Sequence, residues 1–138
     1  MDARLVVDAS TFGAALFNEE GSPQARRLLA SGAVLIAPDL LFAEIASLSA
    51  KKVWRGEAPA EAGHRAFAAL PNFVGEFVSS GVLAPRAFEL AAQHRFSAYD
   101  GLYLALAEQR GVPVATLDDR LITRAAAADL GHLVMRPE

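Results

Sequence analysis

Short apolar runs, several of them followed by an acidic residue, recur along the chain and predict its strands. Leu5 to Val7 ends at Asp8, Ala33 to Ala37 follows a glycine, and Val112 to Leu117 ends at Asp118. Runs of this length without strict alternation are typical of strands covered on both faces of a parallel sheet. Two less regular runs are expected to form further short strands, at residues 73–78 and 132–135.

Apolar residues at helical spacing occupy the stretches between these runs. Ser10 or Thr11 is expected to cap a first helix, and the pair Ser22-Pro23 to open a second, because proline is favoured at the first helical position. Pro85 is expected to begin a later helix for the same reason. The predicted helices cover residues 11–18, 22–32, 38–56, 57–70, 85–95, 98–110 and 120–129.

Strands that alternate with helices indicate an α/β fold built on a mainly parallel sheet. Ligands of such sheets bind outside the carboxyl ends of the strands. Asp8 and Asp118 each follow a predicted strand at that end. We therefore expect the two side chains to converge on one site although they are far apart in sequence.

The composition is that of one folded domain. The chain has 138 residues, 53% of them hydrophobic and 21% charged, which is too apolar for disorder and sufficient for one core. No repeat or linker divides it, so residues 1–138 are predicted to form a single domain. No apolar run approaches the roughly 18 residues that span a bilayer. Met1 to Arg4 leads into the first strand without a signal-peptide core, so a cytoplasmic protein is expected.

The side chains available for chemistry are mainly carboxylates. The chain has no cysteine, and its three histidines are scattered without metal-ligand spacing. Any metal must therefore be held by oxygen. The net charge of −3 gives no general attraction for nucleic acid, so a nucleic-acid substrate would need a local basic patch. Candidates for such a patch, which a solvated surface would explain equally, are Arg26, Arg27, Lys51, Lys52, Arg55 and Arg65.

Two acids stand in unusual places in the first half of the chain. Glu44 lies among Leu41, Ile45 and Leu48 on a helical wheel, and burying its charge without a partner would cost several kcal/mol. The alternative is a glutamate at the edge of the apolar stripe. Asp8 is either a site residue or only the cap of the first helix.

The second half of the chain presents a similar choice. Asp100 lies in a predicted helix that is apolar on nearly every side, where it is a poor structural residue, although a carboxylate near a helix start also interacts favourably with the helix dipole. Asp118 and Asp119 follow a strand, and either is able to cap the next helix while the other faces the site.

Four short motifs surround these acids. They are Val6-Val7-Asp8-Ala9-Ser10, Phe42-Ala43-Glu44-Ile45, the segment from Tyr99 to Ala107, and Thr116 to Leu121. Together they resemble the PIN domain, and more narrowly the VapC-type toxins of bacterial toxin–antitoxin pairs. The motifs occur in the family's order over nearly the whole chain, whereas residues 57–85 carry no diagnostic residue. The resemblance implies a three-layer domain in which helices flank the sheet.

The resemblance also implies a site and an activity. It assigns the family's four acids to Asp8, Glu44, Asp100 and Asp118 and its hydroxyl to Thr116. Mg²⁺ or Mn²⁺ would be their cofactor, since carboxylates prefer hard divalent cations. Similar enzymes cut RNA by attack of water, bind an antitoxin whose C-terminal segment covers the site, and form homodimers. Ser10 and Asp119 are added as supporting residues.

Other readings of the sequence fit less well. The first strand lacks the second aspartate that an aspartyl-phosphatase needs, and no P-loop, dinucleotide fingerprint or late lysine of a receiver domain is present. A PIN scaffold without catalysis, acting only through protein partners, is the alternative from another class. The intact acids count against this alternative. If the four carboxylates converge, we expect them to repel one another in the metal-free protein and to raise each other's pKa.

Overall fold

The computed structural model describes residues 3–138. Met1 and Asp2, the first residues of the segment expected to lack a signal-peptide core, lie outside the described residues. Strands and helices alternate as predicted. The strands are β1 Arg4–Val7, β2 Val34–Pro38, β3 Val74–Val78, β4 Val114–Ala115 and β5 Val134–Met135. The helices are α1 Ala9–Leu16, α2 Ser22–Ala30, α3 Leu40–Trp54, α4 Ala60–Phe73, α5 Ser80–His94, α6 Ala98–Arg110 and α7 Asp119–Ala127, with a 3₁₀ turn at Gly131–Leu133.

The five strands form one parallel sheet in the order β3-β2-β1-β4-β5. The chain builds outward from β1 to β2 and β3, and then returns to the other side of β1 to add β4 and β5. The strand order therefore reverses at β1, and a crevice opens between the carboxyl ends of β1 and β4. Ligands of open parallel sheets bind at such a point.

Alternate residues of each strand enter two separate cores, so helices cover both faces of the sheet. Val6 and Ile36 pack with α5, α6 and α7, whereas Val7 and Leu35 pack with α1, α3 and α4. The predicted continuous apolar runs follow from this arrangement, because neither face of the sheet meets water. Within residues 3–138, no helix has both the length and the apolar character needed to cross a membrane.

The predicted starts of the first two helices were wrong by a residue or more. Asp8, rather than Ser10 or Thr11, caps α1, since its side chain accepts a hydrogen bond from the amide of Thr11. Gly21 occupies the cap position of α2, and Ser22 instead bonds to backbone carbonyls of the preceding helix and turn. In both places the tertiary contacts of a hydroxyl outweigh its local capping preference.

The predicted starts of two later helices also differ from those in the structure. Helix α5 begins at Ser80, one turn before Pro85, because Ser79 caps it and Leu83 is buried against the core. Helix α4 begins at Ala60, after Pro59, rather than at residue 57. Strand β4 has two residues instead of six, although the amide of Thr116 still bonds to the carbonyl of Met135 in the neighbouring strand.

Gly101 allows helix α6 to approach α5 more closely than any other residue would. A Cβ atom placed on Gly101 would lie 2.7 Å from the carbonyl oxygen of Ala87. That contact involves backbone, so a rotamer change cannot relieve it and the two helices would have to separate. We expect Gly101→Ala to lower the free energy of unfolding by about 1 to 3 kcal/mol, as overpacked cores do.

Chemical denaturation of the variant and wild type measures this loss. Gly75→Ala is the matched control, because a Cβ there meets its nearest atom at an ordinary 3.7 Å and we expect its stability to change by less than about 0.5 kcal/mol. Equal stabilities for Gly101→Ala and wild type would mean that the α5–α6 contact is looser than described.

Candidate active site

Asp8 lies at the carboxyl end of β1 and is nearly buried, with 7% of its surface exposed. Its Oδ1 accepts hydrogen bonds from the Ser10 hydroxyl at 2.7 Å and the Thr11 amide at 3.1 Å. Its Oδ2 accepts one from the Thr116 hydroxyl at 2.5 Å. No cation neutralises the charge within residues 3–138, so hydroxyl and amide donors alone solvate it.

The same hydroxyls join the ends of the two neighbouring strands. Ser10 Oγ accepts from the amide of Leu117 at 3.0 Å, and Thr116 Oγ1 accepts from the amide of Asp118 at 3.0 Å. Each hydroxyl thus donates to Asp8 and accepts from the segment after β4. The sequence predicted that Asp8 and Asp118 would converge, and the structure brings them together through this network.

Glu44 reaches the crevice from helix α3, where it is half-buried. Its Oε1 accepts a hydrogen bond from the hydroxyl of Tyr103 at 2.5 Å. Tyr103 is 2% exposed and belongs to α6, so the bond links helices on opposite faces of the sheet. Sequence reasoning assigned no role to Tyr103. A tyrosine in a fully apolar helix was the available signal, because a buried phenol needs a polar partner.

Asp100 and Asp118 both stand at helix starts. Asp100 is in the first turn of α6, whose cap is Ser97. Asp118 caps α7, since its Oδ1 accepts from the amides of Arg120 at 3.0 Å and Leu121 at 3.4 Å. Asp118 therefore caps a helix and also belongs to the acidic crevice. Asp8 does the same at the start of α1.

The four carboxylates influence one another's charge. Burial raises the pKa of Asp8 above its ordinary value, its hydrogen bonds lower it, and the charge of Asp118 raises it further. Burial likewise raises the pKa of Glu44, with the charges of Asp8 and Asp100 adding to the rise. Each acid thus lies near two others. The pKa is thus raised at Asp8 and Glu44, and burial rather than mutual repulsion is the largest cause.

Asp100 differs from Asp8 and Glu44 because basic residues lie near it. Burial raises its pKa and the charge of Asp118 adds to the rise, while Ser97, Arg124 and Arg120 lower it. The two arginines are exposed on α7 and were not among the predicted basic residues. Tyr103 has its pKa raised far above the usual value by burial and by Glu44, so its hydroxyl keeps its proton and remains a donor.

The donor set of the crevice is suited to a hard divalent cation, because it consists of carboxylate oxygens with hydroxyls behind them. Within residues 3–138, however, no three acidic or histidine side chains are grouped closely enough to hold an ion as they stand. Asp8, Glu44 and Asp118 are each bound to protein donors. Side chains would have to turn toward one another for an ion to bind.

Asp119 is the predicted residue that lies outside this cluster. It is the first residue of α7, its side chain is 82% exposed, and it forms an ion pair with Arg136. The capping role considered for it belongs to Asp118. Ser10 and Thr116, the other two supporting candidates, both contact Asp8 directly.

Comparisons with known proteins agree with this architecture. A model described as the PIN domain matches residues 5–127 of the chain. Ribonuclease VapC3 of Pyrobaculum aerophilum is 34% identical over 120 residues, which cover 86% of this chain and 92% of the relative. Ribonuclease VapC1 of Mycobacterium tuberculosis is 34% identical over 118 residues, which cover 84% of this chain and 86% of the relative.

A solved structure gives the same result for the fold. VapC20 of Mycobacterium tuberculosis, described as a sarcin–ricin loop cleaving toxin, superimposes with a TM-score of 0.70 over 96% of this chain and 99% of its own. The sequence identity is 21%, so this likeness concerns the fold alone. The predicted α/β fold with helices on both faces of a parallel sheet is confirmed.

The raised pKa values predict how stability depends on pH without metal. An acid whose pKa is higher in the folded than in the unfolded state binds more protons when folded, so its contribution is lost as pH rises from the unfolded toward the folded value. We expect the metal-free protein to lose stability as pH rises above about 4, because Asp8, Glu44 and Asp100 all shift upward.

Removing the charge of one of these acids should relieve part of the stability lost at high pH. We expect Asp100→Asn to raise the free energy of unfolding at pH 7 by about 1 kcal/mol, since Asp100 is only partly buried. Melting curves in chelator from pH 4 to 8 measure the effect. Asp129→Asn, at an exposed acid, is the control that should change little. An Asp100→Asn protein less stable than wild type at pH 7 would contradict the repulsion among these acids.

Proposed function

Because this chain belongs to the PIN domain family, we propose that it is a metal-dependent endoribonuclease of the VapC type and the toxin of a type II toxin–antitoxin pair. The observation that carries the proposal is the buried carboxylate of Asp8 at the point where the strand order reverses, joined through Thr116 to Asp118 at the start of α7. Carboxylates buried without cationic partners destabilise a fold, so a function is the reason to expect them there.

We assign the metal to these carboxylates. Asp8, Glu44, Asp100 and Asp118 would hold Mg²⁺ or Mn²⁺, and the absence of cysteine and of grouped histidines supports a hard ion. When bound, such an ion supplies Lewis acidity toward the scissile phosphodiester and the attacking water and offsets the charge that grows in the transition state.

The protein's own residues position the acids. Ser10, Thr116 and the amide of Thr11 hold the Asp8 carboxylate at the carboxyl end of β1. The Tyr103 hydroxyl holds Glu44 beside it and stays protonated while doing so. An ion that binds here would replace some of these hydrogen bonds, because the acids have to turn toward it.

No protein nucleophile is required by this scheme. Water attacks the phosphorus, the bond to the leaving 3′-oxygen breaks, and the products carry a 5′-phosphate and a 3′-hydroxyl. The proton that the attacking water loses balances the proton that the leaving 3′-oxygen gains. A cellular RNA substrate places the proposed activity in the cytoplasm.

Two protein partners belong to the proposal: an antitoxin that covers the crevice, and a second copy of the chain. An apolar face between α5 and α6 supports a homodimer, because Phe88 and Tyr99 are 70% and 64% exposed there. A cavity of about 550 Å³ lies in the same face and is lined almost entirely by alanine, leucine and aromatic residues. Exposed apolar patches of this kind mark interfaces.

The proposed acids can be tested one at a time. We expect Asp8→Asn, Glu44→Gln, Asp100→Asn and Asp118→Asn each to reduce RNA cleavage by at least about 100-fold, as removal of a group that stabilises transition-state charge does. Asparagine remains a good helix cap, so Asp118→Asn should preserve α7. The measurement is the rate of cleavage of total RNA by purified protein free of antitoxin.

Asp119→Asn is the matched control for this series, because Asp119 is exposed and pairs only with Arg136. We expect it to change the rate by less than about fivefold, in line with a surface ion pair. If Asp119→Asn were the inactive protein and Asp118→Asn the active one, the assignment of the fourth acid would be wrong. Wild type that cleaves no RNA under any metal condition would favour a PIN scaffold that only binds partners.

The metal requirement has its own test. We expect a chelator to stop cleavage, Mg²⁺ or Mn²⁺ to restore it, and Ca²⁺ to leave it absent, because the larger and looser coordination of Ca²⁺ suits in-line attack poorly. Thermal melts in the same buffers should show stabilisation by Mg²⁺, since the ion binds the folded state only. Undiminished cleavage after exhaustive chelation would remove the metal from the proposal.

A further inference from the structure

The surface beside the acidic crevice changes from negative to positive along helix α3. A cavity of about 420 Å³ opens next to Glu44, and its walls carry Lys51, Lys52 and Arg55 from the last turns of the helix. In a helix of about 3.6 residues per turn, Glu44, Lys51 and Arg55 lie nearly in line, with the two cations about 10 and 16 Å from Glu44. The cavity therefore leads from Glu44, the one proposed metal ligand in its lining, to the cationic end of α3.

The basic residues of the predicted patch differ in what they already bind. Lys51 and Arg55 are exposed, and neither has an ion pair or a side-chain hydrogen bond within residues 3–138. The other four are engaged: Lys52 with Glu19 and Glu57, Arg26 with Asn18 and two carbonyls, Arg27 with the Glu138 carbonyl, and Arg65 with Glu61. Lys51 and Arg55 are thus the patch members available to an anionic ligand.

Trp54 lies between these two cations in sequence and beside them on the helix. It is the only tryptophan of the chain, and it is 78% exposed. Aromatic side chains usually contribute to a fold by burying a large area, which Trp54 does not do. Cations beside an exposed aromatic ring are the combination that holds single-stranded nucleic acid, because phosphates bind the cations and an unpaired base stacks on the ring.

We propose that the C-terminal turn of α3 is the surface that selects single-stranded RNA: Lys51 and Arg55 bind backbone phosphates, and Trp54 stacks on an unpaired base. The strand then passes through the cavity, past Glu44, to the carboxylates. Duplex RNA is disfavoured because its bases are stacked on one another and offer no face to the ring. The inference rests on the proposed ribonuclease function and assigns its substrate-binding residues.

A protein partner is the other class of occupant, since tryptophan and arginine are also frequent at protein interfaces. The observations favour RNA for two reasons. The cavity is continuous with Glu44, so its occupant also meets the acidic crevice. The chain carries a net charge of −3, so a polyanion needs the few cations that have no protein partner.

The single tryptophan provides a direct measurement of contact. In an Asp100→Asn background, which we expect to slow cleavage at least about 100-fold, a single-stranded oligoribonucleotide is titrated in the presence of Mg²⁺ while tryptophan fluorescence is followed. We expect saturable quenching, and binding at least about tenfold tighter than that of the same sequence as a duplex. Equal affinity for single strand and duplex would overturn the inference.

Variants then separate the contributions of Trp54, Lys51 and Arg55 to the binding of single-stranded RNA. We expect Trp54→Ala to weaken single-strand binding by about 5- to 100-fold, with most of the loss restored in Trp54→Phe. Lys51→Ala and Arg55→Ala should each lower the slope of log affinity against log salt by about 0.7. Arg65→Ala, which removes the same charge from an exposed site on α4, is the matched control and should leave affinity and slope unchanged.

The same variants in the active protein should raise KM with little change in kcat, because they alter binding and not the carboxylates. One outcome is that wild type cleaves RNA while Trp54→Ala, and the double variant with Lys51→Ala and Arg55→Ala, bind and cleave RNA as wild type does. In that case the inference fails and the ribonuclease function stands. Weakened binding to the antitoxin with unchanged RNA affinity would overturn it as well. Single-strand binding through Trp54 without any cleavage would uphold it and remove the ribonuclease function.

Discussion

The burial of one charge, at Asp8, is the constraint on which the rest of the site depends. Its carboxylate accepts three hydrogen bonds, and their donors come from helix α1 and from the segment after β4. The two hydroxyl donors also accept amides of that segment, which fixes where α7 begins. Loss of either carboxylate oxygen would leave a hydroxyl without its acceptor, so the sheet, two helix starts and the acidic crevice are joined through a single side chain.

Much of this arrangement could be predicted because it follows from local rules. An apolar run that ends in an acid predicts both a parallel strand and a residue at its carboxyl end, and Asp8 and Asp118 obey that rule. The sequence posed helix cap and site residue as alternatives for these acids. The carboxyl group has two oxygens, and in Asp8 one of them caps the helix while the other bonds across to Thr116.

Contacts between distant elements could not be predicted in the same way. Tyr103 and Glu44 are separated by 59 positions, and nothing in either local pattern specifies that α3 and α6 meet. Pro85 shows the opposite error, since a strong local signal for a helix start is overridden by the packing of Leu83. Which basic residues are already engaged also depends on tertiary placement, so Lys51 and Lys52 are equivalent in sequence but not in the fold.

The acidic net charge was the feature of the sequence hardest to reconcile with an RNA substrate, and the structure shows why net charge is the wrong quantity. At physiological salt, exposed charges are screened beyond about 8 Å, so an approaching phosphate responds to its immediate surroundings. Those surroundings include Lys51 and Arg55 in the cavity beside Glu44, and Arg120 and Arg124 near Asp100. Each pair of cations thus lies near one of the proposed metal ligands. Cations that lie near the carboxylates thus give a protein of acidic net charge a local surface suited to a polyanion.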